Sequence, residues 1–320
     1  MTGVDAHPTP TVSAIVVTWN MVDLLRRCLA ALQDHGPRGG EMEIIVVDNG
    51  SADGTVEMLR QEWPDVRLIA NADNLGFTKA NNQGIEIARG RQLLLINADA
   101  FLTSGCVQRM VDRMTRDDRA AVVGPRLVYG DGTWQRWTAG RAPSLRAALN
   151  HFLFLERLGR GAAALGGLYL GVDVREARRV DWVSSACMLV RADAVHDVGG
   201  MDERFFVYMD DVDLCQRLRE VGWHVWYEPA AEAIHLMGQG SRRRQGGPSP
   251  AALRSLNQYF ALRHGEAAAA GLHLIEIVGF GLRAVIYTTA AFVRRETNLR
   301  DKARTHRTFF RLMFQREYRG

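Results

Sequence analysis

At 320 residues, with 47% hydrophobic and 24% charged side chains, the chain is too apolar for a disordered protein. It is long enough for one large α/β domain with an appendage, or for two domains. The net charge of +4 is small but uneven: Arg242, Arg243 and Arg244 cluster, and the last thirty residues are rich in Arg and Lys with few acids. Cys28, Cys106, Cys187 and Cys215 are scattered in apolar surroundings with no CxxC pair, which speaks against a zinc site and for buried free thiols in a reducing compartment.

Residues 1–11 are polar and Pro-containing, the expectation for a loose tail, and they lack the basic start and apolar core of a secretory signal. The β-branched run 12–18 predicts a first strand, ending at Trp19-Asn20. From Asp23 to Gln33, Leu24, Leu25, Cys28, Leu29 and Leu32 recur at helical spacing, with Asp23 positioned to cap. After the Gly36–Gly40 break, a second strand at 43–47 also ends in polar residues, Asp48-Asn49-Gly50-Ser51. Ser51 or Asp53 is expected to cap a helix running to Arg60. A short third strand covers 66–69, and 74–89 is a Gly- and Asn-rich loop running into another helix.

Leu93-Leu94-Leu95-Ile96 has no polar alternation and predicts a strand buried on both faces of a parallel sheet. It stops at Asn97 and Asp99, and a carboxylate beside a core strand needs compensation. Either Asp99 holds a divalent metal at the carboxyl edge of the sheet, or it caps the next helix. Strand and helix alternate at βαβ spacing, which argues for a parallel sheet with one ligand site along that edge. A dinucleotide-binding dehydrogenase would show GxGxxG after the first strand. Thr18-Trp19-Asn20-Met21 has no glycine, so that reading is remote.

Residues 122–129 predict a further strand, followed by a turn at Gly130-Asp131-Gly132. Residues 138–178 are weakly patterned and predict a mobile insertion over the site, whereas 180–190 predict a strand pair or one bent strand. A second concentration of acids spans Asp202, Glu203, Asp210, Asp211 and Asp213. Leu214, Leu218 and Val221 then mark a helical face that Gly222 ends. Asp210 or Asp211 therefore starts a helix, where the macrodipole favours an ionised carboxylate. Capping accounts for one of these acids, and the aromatics and Met before them suggest a pocket wall. Residues 223–229 predict an edge-like strand closed by Pro229. His235, beyond it, is either a satisfied core histidine or a second ligand beside Asp99.

Several stretches together carry a resemblance. They are Val16-Val17-Thr18-Trp19-Asn20, residues 46–55, Asn74-Leu75-Gly76-Phe77, Asn82-Gln83-Gly84 and Asn97-Ala98-Asp99, followed by residues 200–206, residues 210–215, and His235 with Gly238 and Ser241. In this order, over roughly residues 12–241, the chain resembles the inverting family-2 glycosyltransferases of GT-A fold, especially their bacterial rhamnosyltransferase-like branch. The resemblance implies an α/β GT-A fold: a Rossmann-like, mixed, mainly parallel sheet flanked by helices. The catalytic domain would cover 12–245, with 12–130 as nucleotide-sugar half and 131–245 as acceptor half, and a helical C-terminal extension would cover 251–320.

It also implies roles. Thr18, Asn20, Asp48 and Asn49 would hold the nucleoside, and Asn74, Gly76, Asn82 and Asn97 would line the nucleotide-sugar site. Asn97-Ala98-Asp99 stands where the family has its DxD motif, so Asp99 would be the main ligand of Mg²⁺ or Mn²⁺, with His235 the later one. Asp211 would be the general base, with Asp210 in place of the more usual Glu. Trp182, Asp202 and Glu203 are candidates for acceptor or sugar contacts, or equally for turn and packing roles. These residue types suit the chemistry, since a diphosphate leaving group needs its charge neutralised and an inverting displacement needs one base on the opposite face.

The implied activity is metal-dependent transfer of a sugar to a glycan or polyprenyl-linked acceptor in cell-envelope polysaccharide synthesis. The donor would be dTDP-rhamnose or, in a second reading, a UDP-hexose. A non-catalytic nucleotide-sugar-binding or partner-binding member is a further alternative. A nucleic-acid partner lacks any recognition motif. Residues 271–293 are long enough to span a bilayer but carry Glu276 and Arg283 near their middle. Either an interfacial or dimer-packing helix, with Arg294, Arg295, Arg300, Lys302, Arg304 and Arg307 facing anionic lipid, or a packed helical cap fits. The chain is expected in the cytoplasm, peripheral at the inner membrane face.

Overall fold

The computed structural model describes residues 11–38, 42–157, 166–237, 249–294, 296–315 and 318. The Arg242–Arg244 cluster, Gly238 and Ser241 lie outside them. The described residues form two compact units. One holds the chain up to Gly140, Asp173–Phe206 and the stretch from Asp210 through the last strand, and the other holds Arg141–Val172, Val207–Met209 and the C-terminal helices.

The first unit is a nine-stranded sheet among the described residues. Strands β1 (Val12–Thr18), β2 (Met42–Asp48), β3 (Arg67–Ala70) and β4 (Gln92–Asn97) pair in parallel in the order β3-β2-β1-β4. Helices α1 (Val22–Asp34), α2 (Thr55–Glu62) and α3 (Phe77–Ile87) connect them. Every residue of β1 is buried, as expected of a strand covered on both faces. Leu25, Cys28, Leu29 and Leu32 of α1 pack on one face with Val46, Leu94 and Ile96. On α3, Gly84 lets the helix approach Ile15, whose side chain occupies the space a Cβ would need.

After β4 the sheet becomes mixed. A short β5 (Ala100–Leu102) and α4 (Cys106–Arg116) precede β6 (Ala120–Val128). Two-residue β7 (Ala139–Gly140) pairs with β9 (Trp182–Val183) in a separate ribbon, and β8 (Arg178–Val180) pairs with the last strand. Strand β10 (Cys187–Arg191) inserts antiparallel between β4 and β6. Strand β11 (His224–His235) runs parallel to β6, with β8 and β5 antiparallel on its other edge. Helices α6 (Ala192–Asp197) and α7 (Asp210–Glu220) lie between β10 and β11 in the chain. All four cysteines are buried and unbridged.

Several local expectations give way to the structure. Asp23 does not cap α1. Its carboxylate pairs with Arg26 in the first turn, and the Val22 amide donates instead to Asp53 Oδ2 at 3.0 Å. Neither Ser51 nor Asp53 is the cap of α2, because Gly54 in a left-handed conformation (φ 88°) turns the chain into the helix. Asp99 caps no helix either, since it leads into β5. Strand β11 is interior and runs on through Pro229. A register break between Glu228 and Glu232 removes the proline from the ladder, so its missing N–H costs no bond. Over 180–190 the chain makes two separate short strands, β9 and β10, after the end of β8, and Val221 lies beyond the end of α7, 64% exposed.

The second unit is helical. Its elements are α5 (Leu145–Phe152), α8 (Pro250–His264), α9 (Glu266–Arg294) and α10 (Thr297–Leu312). Thus 138–178 is no unpatterned insertion where it is described. Ser144 caps α5 by accepting from the Ala147 amide, and Ser249 caps α8 with Pro250 in the first turn. Phe280 of α9 packs against Phe152 (5.4 Å) and stacks on Phe309 (5.3 Å). Gly279 leaves the room that Phe152 occupies. The two charges inside α9 face this interior. Glu276 accepts from Asn257 Nδ2 at 2.9 Å, and Arg283 donates to the carbonyls of His151 and Phe152 that end α5.

Candidate active site

The carboxyl ends of β2, β1 and β4 are adjacent, and each ends in a polar residue, buried at Asp48 and Thr18 and half-buried at Asn97. Thr18 lies in register with Asp48, and Asn97 with Val17. Thr18 and Asp48 are buried. Thr18 Oγ1, Asp48 Oδ1 and Asn97 Oδ1 find no partner among the described residues, although Asp48 Oδ2 accepts from the Ser51 amide at 2.9 Å. Buried polar atoms without partners are costly, and three on one strand edge mark where a polar ligand would supply the missing bonds.

The neighbouring asparagines work differently. Asn49 is buried, and its Nδ2 donates to the Gly76 carbonyl (3.0 Å) and to Asn74 Oδ1 (3.3 Å), while its Oδ1 accepts from Asn71 Nδ2 (3.1 Å). Asn74 Oδ1 also accepts from the Gly76 amide. Together these side chains shape the loop before α3. There Gly76 (φ 91°) lies so close to Phe206 that a Cβ would stand 2.6 Å from its ring. Asn20, itself at φ 53°, ties the two preceding loops: its amide donates to Ser51 Oγ and its Oδ1 accepts from Ala52. Asn82 clamps the acidic loop. Its Nδ2 donates to the Met201 carbonyl (2.9 Å) and to Glu203 Oε1 (3.1 Å), and its Oδ1 accepts from the Met201 amide (2.9 Å).

The β5–β11 register brings the second group together. His235 is paired with Ala100, so its Nε2 lies 3.4 Å from Asp99 Oδ1, with both side chains buried. Gln135 fixes the ring: its Nε2 donates to the His235 carbonyl, which leaves its Oε1 to accept from Nδ1–H at 3.0 Å. In the neutral ring Nε2 then presents its lone pair toward Asp99. A carboxylate and an imidazole oriented in this way are donors suited to a divalent cation. Among the described residues no cluster of three or more His, Cys, Asp or Glu side chains could hold a metal alone. A cation here would therefore complete its shell with ligand oxygens.

The acids at the start of α7 form the third group. Asp210 is buried, its Oδ2 accepting from Ser185 Oγ at 3.4 Å, and Asp211 is half-buried, its Oδ2 accepting from the Ser185 amide at 3.2 Å. Burial, and then the neighbouring Asp211 charge, raise Asp210 well above the usual carboxylate range. Burial likewise lifts Asp211 to about 6, against the pull of the Ser185 and Val212 amides. The pair shares its charge unequally: Asp211, the less buried of the two, is the one that ionises more readily. Asp213 is spent structurally on Arg217, which also holds the Val198 carbonyl. Tyr208 and Met209 just before the pair both have positive φ (66° and 63°), a strained approach to the helix.

Trp182 is buried in β9, and Asp202 is paired with Arg204 across its own turn, accepting from its amide and guanidinium. Gln135 and Ser185, which orient His235 and the acid pair, stand out by no periodicity in the sequence. Each lies in a connection between strands.

The description Glycosyl transferase family 2 matches residues 13–168. An N-acetylglucosaminyl-diphospho-decaprenol L-rhamnosyltransferase of Mycobacterium tuberculosis is 32% identical over 267 residues, covering 80% of this chain and 86% of that one. A pre-mycofactocin glycosyltransferase of the same organism is 29% identical over 242 residues, 72% of this chain and 45% of that one. The mannosyltransferase PcManGT from Pyrobaculum calidifontis, solved with GDP-Man and Mn²⁺, superimposes with a TM-score of 0.58 at 17% identity, covering 95% of this chain and 86% of that one. The mixed sheet with its polar carboxyl edge is thus a GT-A fold, and the molecule is a glycosyltransferase. The chain belongs to glycosyl transferase family 2, in its rhamnosyltransferase-like branch.

Proposed function

We propose that this glycosyltransferase is metal-dependent and inverting, and that it moves L-rhamnose from dTDP-rhamnose to a lipid-linked acceptor that ends in N-acetylglucosamine. The rhamnosyl group and the acceptor are carried over from the named activity of the mycobacterial relative, and the dTDP carrier from the resemblance of the motifs to the rhamnosyltransferase-like branch. The observation that carries the chemistry is the separation of two buried acidic centres: Asp99 with His235 on the strand edge, and Asp210 with Asp211 at a helix start.

Asp48 Oδ1, with Thr18 Oγ1 and Asn97 Oδ1, gives the nucleoside its polar partners. A free carboxylate oxygen suits the N3–H of thymine and equally of uracil, which keeps a UDP-hexose as the second donor reading. Asp99 and His235 would hold Mg²⁺ or Mn²⁺, whose chemistry is to neutralise the charge that develops on the departing diphosphate. Asp211 accepts the proton of the attacking acceptor hydroxyl. That oxygen bonds to the anomeric carbon as the carbon–oxygen bond to the diphosphate breaks, and one displacement inverts the configuration. Burial of Asp210 beside it favours a single charge on the pair, which limits repulsion of the donor.

Titration calorimetry with dTDP-rhamnose and UDP-sugars, with and without Mn²⁺, tests the reading. One donor should bind with metal and lose about tenfold or more in affinity in Asp99→Ala. Equal binding by Asp99→Ala, or metal-independent binding in the wild type, would overturn the metal role. Preference for a UDP-hexose would replace the rhamnosyl donor.

A further inference from the structure

Helix α9 presents an uncharged stripe to solvent along nearly its whole length. At 100° per residue, Leu274, Val278, Leu282, Val285, Ile286 and Phe292 fall on one side, and that side is exposed: Leu274 is 61%, Val285 65% and Phe292 85% accessible. The stripe begins with Ala267 and ends with Val293, about 40 Å at 1.5 Å per residue. The two formal charges of this stretch, Glu276 and Arg283, point to the opposite side, where Asn257 and the end of α5 engage them. The helix also has the length and mean hydropathy (1.6) of a membrane span, yet 33% of its most apolar window is buried inside the protein. An exposed apolar surface of this extent marks a binding face.

What borders the stripe says what covers it. Gly281 lies at its edge, and the missing side chain admits the Phe310 ring of α10, 3.2 Å from where a Cβ would be. Phe310 packs edge-on to Phe314, which is 48% exposed, so the apolar surface continues onto α10 as an aromatic margin. Turning further round α10 from these rings come Arg307, Arg300, Arg311 and Arg304, all exposed. The acids nearby are Glu296 and Asp301, the latter 3.9 Å from Arg304.

From this succession of apolar stripe, aromatic margin and arginine row we propose that the α9–α10 face lies on the surface of an anionic bilayer. The stripe and the phenylalanines enter the boundary between headgroups and acyl chains, and the arginines meet lipid phosphates. A second copy meeting this face with the same face would set arginines against arginines. This face is distinct from the sugar-transfer site, and its test needs no turnover.

The full-length protein is sedimented with phosphatidylcholine vesicles and with vesicles containing phosphatidylglycerol. Wild type should bind the anionic vesicles at least tenfold more tightly, and added salt should weaken that preference. Val278→Asp/Val285→Asp, at exposed positions, should lose vesicle binding while keeping the wild-type melting temperature. Arg304→Glu/Arg307→Glu/Arg311→Glu should lose about 10²-fold for anionic vesicles alone. Undiminished binding by the stripe variant overturns the proposal. So does a wild-type dimer that the stripe variant dissociates without change in vesicle binding, which would give the face to a second copy. Resistance of the bound protein to alkaline carbonate extraction would show a spanning helix and also overturn it.

Discussion

Replacing Asp211 by Asn removes the proposed base and keeps the contact across to the approach to β10, because the amide oxygen can still accept from the Ser185 amide while the bond from the adjacent Val212 amide is given up. A positioned base contributes about 10²–10⁴-fold to proton transfer, or about 3–5 kcal/mol of barrier. The kcat of Asp211→Asn should fall by that factor while donor affinity stays within about threefold, since no nucleotide contact is altered. The pH profile provides the sharper test. Asp211 is held near 6 by burial, so wild-type kcat should be flat above that pH. Below it the rate should fall about tenfold per unit, as the base takes up the proton it must leave free. In Asp211→Asn this limb should vanish. Asp210→Asn replaces the deeper carboxyl, which burial and then the Asp211 charge push well above the usual carboxylate range, so it should keep the limb and most of the rate. The assay is nucleoside-diphosphate release on transfer to a short-chain N-acetylglucosaminyl-diphospho-prenol, with calorimetry for binding. If Asp210→Asn abolished turnover while Asp211→Asn retained it, the division of labour drawn from burial would be refuted.

Two further outcomes follow from contacts elsewhere. Asn82→Ala frees the acidic loop from its three side-chain bonds and should lower kcat with little change in the donor KM, whereas a direct nucleotide contact would raise KM. Glu276, buried and raised to about 8 by desolvation, is protonated in the folded state at neutral pH and ionised in the unfolded one. Its contribution to stability is whole below the unfolded value near 4.5 and is lost as pH rises through about 8, a penalty of roughly 3 kcal/mol at pH 7. Glu276→Gln should therefore raise the melting temperature at pH 7 and flatten its decline between pH 5 and 8, and an unchanged profile would show the carboxyl to be solvated.

The strands were legible where burial on both faces leaves a run of branched aliphatics, as in β1 and β4, and the acids at their ends pointed to the carboxyl edge of the sheet. What local pattern could not reveal was set by register. His235 reaches Asp99 because β5 pairs antiparallel with β11, and Gln135, which orients it, is a hundred residues away in the chain. A cap was expected from Asp53, but its carboxylate bridges to the Val22 amide across two loops. Pro229 suggested a strand end, and a bulge carries the strand past it. The motif asparagines were expected at the ligand. Asn49, Asn74 and Asn82 also hold the loops around them, through contacts that depend on which segments the fold brings near. Helix α5 escaped notice because its apolar residues make sense only against α9.

The polypeptide enters the helical unit three times, at Arg141–Val172, at Val207–Met209 and after the last strand. The middle visit is three residues long, tied to α8 where Ser255 Oγ donates to the Val207 carbonyl, and the next residue of the chain is Asp210. A gene fusion or a deletion at the carboxyl terminus therefore cannot add or remove this unit as a cassette. Shortening the protein before α8 would leave α5 without the glycine that receives Phe152 and the guanidinium that caps its end. Recombination that exchanged this unit between relatives would have to exchange three segments at once.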